Sequence, residues 1–264
     1  MIKRIQSALV RRLGALKERI INRLINRRRY VAHHDIRMTF FIPNALCRYR
    51  VETFSSKEPE TLNWIDSFKN DVIFWDIGAN IGLYSIYAAK AKNAQVLAFE
   101  PSVFNLEFLA KNIYANDLQK NISIFPLALS DKTDFNLFKM NNPIWGGALS
   151  AFGVDYDQSG GVFNASFEYS IAGLSADRTI EVFKLPSPSH IKIDVDGIEH
   201  LILAGAAVVL KKVDSILIEI DENFEEQSQK SNKYLTDAGL ILSDRHVLNG
   251  VNDRQTNQLW IRQA

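Results

Sequence analysis

Residues 75–82 read Trp-Asp-Ile-Gly-Ala-Asn-Ile-Gly, and a single acid, Glu100, closes the segment that follows in Phe99-Glu100-Pro101. Glycines at 78 and 82 let the backbone approach a ligand where a Cβ would clash. An acid at the end of the next strand is placed to accept hydrogen bonds from two adjacent ribose hydroxyls. Together these residues describe a nucleoside pocket. Two glycines alone would serve an ordinary strand-to-helix turn; Glu100 is what points to a ligand.

What is missing narrows the ligand. A dinucleotide site wants Gly-x-Gly-x-x-Gly, with pyrophosphate on the helix N-terminus. Here the pattern is Asp76-x-Gly78-x-Asn80-x-Gly82, and no Lys or Arg lies between Trp75 and Ala89. The carboxylate of Asp76 would repel a phosphate. An acidic, phosphate-free pocket suits S-adenosylmethionine, which carries a sulfonium, an amino group and a ribose.

Four motifs then follow one another: Asp76-Ile-Gly-Ala-Asn80-Ile-Gly82, Ala98-Phe-Glu100-Pro101-Ser102, Ala128-Leu-Ser-Asp131 and Ile191-Lys-Ile-Asp194-Val-Asp196-Gly197-Ile-Glu199. In order and spacing this set resembles the FkbM family of S-adenosylmethionine-dependent methyltransferases, from residue 58 to the C-terminus. The resemblance implies an α/β, Rossmann-like class I methyltransferase fold. Its sheet would be mostly parallel, with helices on both faces and an antiparallel C-terminal edge. The implied activity is O-methylation of a sugar hydroxyl in a glycan, glycolipid or other natural product. The family often has Glu where Asp196 stands here, which keeps the charge and shortens the reach. A competing reading is a non-catalytic module that binds the cofactor and recruits a partner through its N-terminal helix.

Methyl transfer to oxygen needs alignment, and a base or metal to deal with the acceptor's proton. In parallel α/β sheets ligands sit beyond the carboxyl ends of the strands, at the switch point. The residues expected there are Asp76, Glu100, Asp131, Asp194 and Glu219. Glu100 is assigned to the ribose, and Asp76, Gly78, Asn80 and Gly82 to the methionine moiety. Ser130 and Asp131 are placed to reach the adenine amino group. Asp194 and Asp196 follow a strand that points them at the methyl side, and carboxylates this close push their titrations apart. Asp194 is the first choice for orienting the acceptor or serving as base. His200 is the third catalytic candidate, because histidine titrates nearest neutrality. Glu199 matches the family motif, or simply favours a helix N-terminus. Asp194, Asp196, Glu219, Asp221 and Asn223 could hold Mg²⁺ between them, but no metal ligand is assigned.

The elements that must position these groups alternate. Strands are predicted at 72–75, 95–99, 122–126, 190–193 and 215–220, with a late pair near 240–242 and 258–262. Helices are predicted near 81–92, 103–116, 199–211 and 225–238. Such alternation argues a parallel sheet with helices on both faces. Residues 35–54 alternate loosely around Pro43-Asn44 and read as a β-hairpin, and 57–68 as a helix leading into the core. The stretch 133–175, with six glycines and Trp145, Phe152, Tyr156, Phe163, Phe167 and Tyr169, breaks the alternation. A loop this long is usually functional. It is expected to cover the acceptor pocket, the alternative being a β-insertion with its aromatics in the core.

Charge is split along the chain. Residues 1–34 carry ten Lys and Arg against one acid, Glu18, while the other 230 residues hold 21 bases and 29 acids. Ile2, Ile5, Leu9, Leu13, Leu16, Ile20 and Leu24 recur at helical spacing, with bases on the other faces. The expected organisation is therefore a basic amphipathic helix (1–30), a hairpin and lead-in helix (31–70), and a methyltransferase domain (71–264) with its insertion at 133–175. The helix suits peripheral contact with an anionic membrane surface through residues 2–26, docking on a partner, or self-association. No aromatics interleave its bases, so nucleic acid is not an expected partner. A single cysteine, Cys47, excludes an intramolecular disulfide and favours a reducing compartment. No run of 18 apolar residues and no signal-peptide pattern is present, and a cytoplasmic location is expected.

Overall fold

A computed structural model describes residues 2–248 and 254–263, with side chains from residue 11 onward. Helix α1 (Ile2–Ile25) leads into an antiparallel hairpin, β1 (Arg28–His33) and β2 (Ile36–Phe41), then α2 (Ala45–Glu52) and α3 (Pro59–Asp66). Alternation follows in β3 (Ile73–Ile77), α4 (Leu83–Lys92), β4 (Gln95–Phe99), α5 (Val103–Ala115) and β5 (Ile122–Phe125). Four strands come next: β6 (Ala128–Ser130), β7 (Asp134–Met140), β8 (Ser150–Phe152) and β9 (Phe167–Ser175). The chain then runs through α6 (Ala176–Phe183), β10 (His190–Ile193), α7 (Glu199–Ala204), α8 (Ala207–Leu210), β11 (Ser215–Asp221), α9 (Glu225–Asp237), β12 (Leu240–Val247) and β13 (Gln255–Arg262).

Seven strands form the central sheet in the order β12-β13-β11-β10-β3-β4-β5. Five are parallel, and β13 runs antiparallel to both β11 and β12. Chain order departs from β3 in both directions, to β4 on one side and β10 on the other, so the crevice opens at their carboxyl ends. Successive residues of β3 point to opposite faces. Phe74 enters the core under the hairpin and α2–α5, while Trp75 and Ile77 enter the core under α7, α8 and the four-stranded sheet.

Three expectations are corrected. The hairpin spans β1 and β2, ending at Phe41, and Pro43-Asn44 begins a helix: the Asn44 carboxamide accepts from the Cys47 amide at 2.8 Å and caps α2. The helix expected over 199–211 breaks into α7 and α8. There Gly205 lies so close to the backbone of Ser130 that a Cβ would stand 2.2 Å from its carbonyl oxygen. Residues 133–175 are not an irregular loop. They supply three strands of a second sheet, in the order β6-β9-β7-β8, with Phe138, Met140 and Phe152 buried.

Candidate active site

Gly78 and Glu100 stand at the adjoining ends of β3 and β4. Gly78 has φ +83°, and a Cβ there would lie 1.9 Å from the Asp194 carbonyl oxygen, so only glycine fits between β3 and β10. Glu100 is 4% exposed and accepts from the amides of Asn80 (2.7 Å) and Ser102 (2.8 Å) and from the Asn105 carboxamide (3.4 Å). Burial pushes its pKa up to about 7, although these hydrogen bonds oppose it.

A cleft of about 700 Å³, counting its open mouth, begins at this carboxylate. Phe99, Leu127, Leu129, Phe138 and Phe152 give it an apolar slot; Gly78, Asn80, Asp194 and Asp196 line its polar part. A second cavity adjoins it, sharing Arg50, Gly78, Asn80 and Asp194. It adds Phe54, Lys57, Glu58, Tyr84 and Lys192. Acids and bases thus line the second cavity together, Lys57 paired with Glu58 at 2.7 Å and Lys192 with Asp194 at 2.5 Å.

Asp194 and Asp196 are held differently. The Asp194 carboxylate accepts from the Lys192 ammonium at 2.5 Å. Burial alone would raise its pKa, but Lys192, with Lys57 and Arg50, outweighs burial and lowers it. Lys192 is 3% exposed, and its charge survives burial because Asp194, Glu58 and Asp76 surround it. Asp196 instead accepts from the Ser150 amide at 3.1 Å. Burial and then the neighbouring Asp194 charge push it up to about 6. Its backbone is left-handed, φ +63°, an uncommon conformation for a non-glycine residue.

Glu199 fixes the turn that carries Asp196. It is 1% exposed and accepts from the amides of Gly197 (3.0 Å) and Val195 (3.3 Å) and from the Gln227 carboxamide. Burial raises it to about 7. Over the cleft, the turn before β8 is bolted down from several sides. Asn44 donates to the Trp145 carbonyl (2.9 Å), Arg50 to Gly146 (2.7 Å), and Asn80 (2.8 Å) and Asn105 (3.1 Å) to Gly147.

Of the residues singled out in the sequence, Gly78, Asn80, Glu100, Asp194 and Asp196 come together in the cleft. Asp76 does not line it. It shares the Phe74 face of β3, lies directly across from Lys192, and accepts from the Ser85 hydroxyl at 2.5 Å. Gly82 faces α5, where a Cβ would meet Leu109 at 2.5 Å. Ser130 and Asp131 lie past the cleft wall, which is formed by residues 127–129, and hydrogen-bond each other at 3.1 Å. His200 is 1% exposed, packed against Tyr156 and Phe224 away from the cleft, with its pKa lowered by burial. Three of the five donors weighed for Mg²⁺ accept hydrogen bonds within the protein: Asp194 from Lys192, Glu219 from Gln255, and Asp221 from Asn223, itself one of the five. Cys47 is buried, with its thiol pushed up to about 11 by burial.

Sequence reasoning missed Arg50, Lys57, Glu58 and Tyr84, all from outside the four motifs, and Asn105. Asn105 had a readable signal, standing three residues after Ser102, the N-cap of α5.

Comparison with known proteins agrees with this architecture. The Methyltransferase FkbM domain matches residues 76–242. Hexuronic acid methyltransferase AglP of Haloferax volcanii is 24% identical over 162 residues, 59% of this chain and 59% of that protein. The chain therefore spans little more than half the length of this relative. Among solved structures, P. horikoshii TYW2 in complex with MeSAdo superposes with a TM-score of 0.50 at 12% identity, covering 90% of this chain and 73% of that one. At that identity the likeness concerns the fold.

Proposed function

The chain belongs to the Methyltransferase FkbM domain family, and from that premise we propose that it is an S-adenosylmethionine-dependent O-methyltransferase acting on a sugar hydroxyl. One observation carries the reading. A single cleft holds a buried carboxylate at the end of β4 and, at the end of β10, a carboxylate pair whose proton affinities are driven apart.

The residues fit the cofactor. Glu100 would hold the ribose hydroxyls, and Phe99, Leu127, Leu129, Phe138 and Phe152 would pack the adenine ring. The second cavity suits a zwitterion, with Arg50 and Lys57 for the carboxylate of the amino-acid end and Glu58 for its ammonium. When bound, S-adenosylmethionine supplies a methyl group on a positively charged sulfur, ready for an oxygen nucleophile to take.

What remains is proton transfer and alignment. Asp196 takes the acceptor hydroxyl's proton, since a base near pH 6 is largely ionised at neutrality yet still holds a proton usefully. Asp194, kept ionised by Lys192, orients the acceptor. Glu199 is a positioning residue: it holds the turn from Val195 to Gly197. The sugar acceptor is supported by the likeness to a hexuronic acid methyltransferase. The test is release of S-adenosylhomocysteine from wild type and Asp196→Asn with a panel of uronic acid and neutral sugar acceptors. No product with any of them, alongside intact cofactor binding, would sink the acceptor assignment and promote the recruiting module.

The N-terminal helix extends the proposal to a peripheral contact at the cytoplasmic face of a membrane. Leu13, Leu16, Ile20, Ile21 and Leu24 are all about half exposed, amid Arg11, Arg12, Lys17, Arg19 and Arg23. No helix among the described residues is long and apolar enough to cross a membrane. Sedimentation with anionic vesicles, lost in Leu16→Glu/Ile20→Glu, is the expected result; equal sedimentation of the variant removes the helix as anchor.

A further inference from the structure

Where the β1–β2 hairpin meets the end of α3, His33, His34 and Asp66 converge: one imidazole nitrogen from each histidine and one carboxylate oxygen all lie within 4.8 Å of one another. We propose that this cluster is a divalent transition-metal site, best suited to Zn²⁺, that pins the β1–β2 hairpin to the end of α3. It is independent of the methyl-transfer reading.

The geometry comes from three features. Nε2 of His34 lies 3.3 Å, and Nε2 of His33 3.8 Å, from the same Asp66 oxygen, Oδ2. Ligands about 2.0–2.1 Å from a tetrahedral zinc stand roughly 3.3–3.4 Å apart, so these separations approximate the edges of such a site. Second, His33 Nε2 is buried with no hydrogen-bond partner, and 3.8 Å is too long to count as one. A buried nitrogen left without a proton partner needs an explanation, and a metal between the three groups supplies it. Third, the supports are in place. The Tyr87 hydroxyl donates to Asp66 Oδ1 at 2.6 Å, leaving Oδ2 to face the histidines. A hydrogen bond donated to the far oxygen of a ligating carboxylate is the usual outer-shell arrangement.

Local chain conformation delivers the second histidine. His34 opens the hairpin turn with φ +48°, and this left-handed backbone lets its ring lie 4.3 Å from that of His33. His33 is wedged edge-on against Phe54 and Tyr87. The side chain of His34 is 67% exposed, so a fourth coordination position opens to water. Imidazole nitrogen with carboxylate oxygen is a donor set that zinc accepts. Because Phe54 also lines the second cavity, the pin would steady the wall carrying Arg50 and Lys57.

The test uses the full chain without a polyhistidine tag, stripped with a chelator and titrated with ZnCl₂ against a chromophoric competitor. One equivalent should bind and raise the melting temperature, and Co²⁺ should give the visible bands of a four-coordinate site. His34→Asn keeps a residue that tolerates left-handed backbone but is too short to reach Asp66. It should fold normally and bind more than about 100-fold more weakly, since loss of an outer-shell partner alone costs about 10–100-fold. His33→Gln should behave alike, and Tyr87→Phe should weaken binding by roughly tenfold. A wild type that takes up neither Zn²⁺ nor Co²⁺ overturns the site and leaves a His–Asp ion pair. Undiminished binding by both histidine variants overturns it equally.

Discussion

Glu100 and Asp196 share one cleft, yet the regions that hold them are built on different plans. The wall around Glu100 is local: Gly78, Asn80, Ser102 and Asn105 come from one β-α-β-α stretch, and the carboxylate is fixed largely by backbone amides. The wall around Asp196 is assembled from afar, with Ser150 from the inserted sheet and Gln227 from α9 acting through Glu199. A local wall presents one unchanging ligand-binding surface. A distributed wall can be reshaped piece by piece, which suits the side that must recognise an acceptor.

If the division is real, damage to the two walls separates cleanly. Asp196→Asn should lower turnover by about 10²–10⁴, the range for a lost general base, and leave S-adenosylhomocysteine affinity nearly unchanged. Steady-state rates beside calorimetry check this, and a weakened affinity with normal turnover would reverse the roles. Asp194→Asn sharpens the contrast, because it takes from the buried Lys192 ammonium its charged hydrogen-bond partner and leaves only the neighbouring Glu58 and Asp76. Removing one partner of a buried pair costs roughly 3–5 kcal/mol, so this neighbour should lose thermal stability first.

Glu100→Ala attacks the local wall. Loss of a charged acceptor for the ribose should cost about 1.5–3 kcal/mol, roughly ten- to a hundredfold in cofactor affinity. Turnover at saturating cofactor should hold. Unchanged calorimetric affinity would detach Glu100 from the ribose and leave it as support for the Asn80 turn.

The same contrast explains what was legible in the sequence. Strands β4 and β10 are legible to the residue: β4 shows the short continuous apolar run of a strand buried on both faces, and β10 shows as Ile191 and Ile193 flanking Lys192 just ahead of Asp194. Gly78, Asn80 and Glu100 were found because their geometry depends on neighbours in the chain. The sequence of the inserted sheet does not decide between a covering loop and a β-insertion because β7 is apolar on both faces: Phe138 and Met140 are buried, while Phe135 and Leu137 point out at 71% and 37% exposure. Alternation, the usual strand signal, was thereby erased. Arg50 was hidden because Leu46, Tyr49 and Val51 mimic a strand, whereas only Cys47 and Val51 of α2 are buried. That Asp76 faces Lys192 rather than a ligand depends on strand register, which a single sequence does not display.

The smallest expected effect is a pH dependence in which activity and stability move in opposite directions. Asp196 must be ionised to accept a proton, so turnover should fall as pH drops through about 6, about tenfold for each further unit. Glu100 and Glu199 are both raised to about 7 in the folded protein, against about 4.3 in an unfolded chain. Folding therefore favours their protonated forms. Their contribution to stability is fully present below about pH 4.3 and is lost as pH rises to about 7. Melting temperature of the cofactor-free protein should thus fall from about pH 5 to 7 while turnover climbs. Glu199→Gln should flatten the melting curve and leave the kinetic one in place. A melting temperature that rises across that window would mean these carboxylates are stabilised as anions, and the buried acids at the core of both walls would need reassignment.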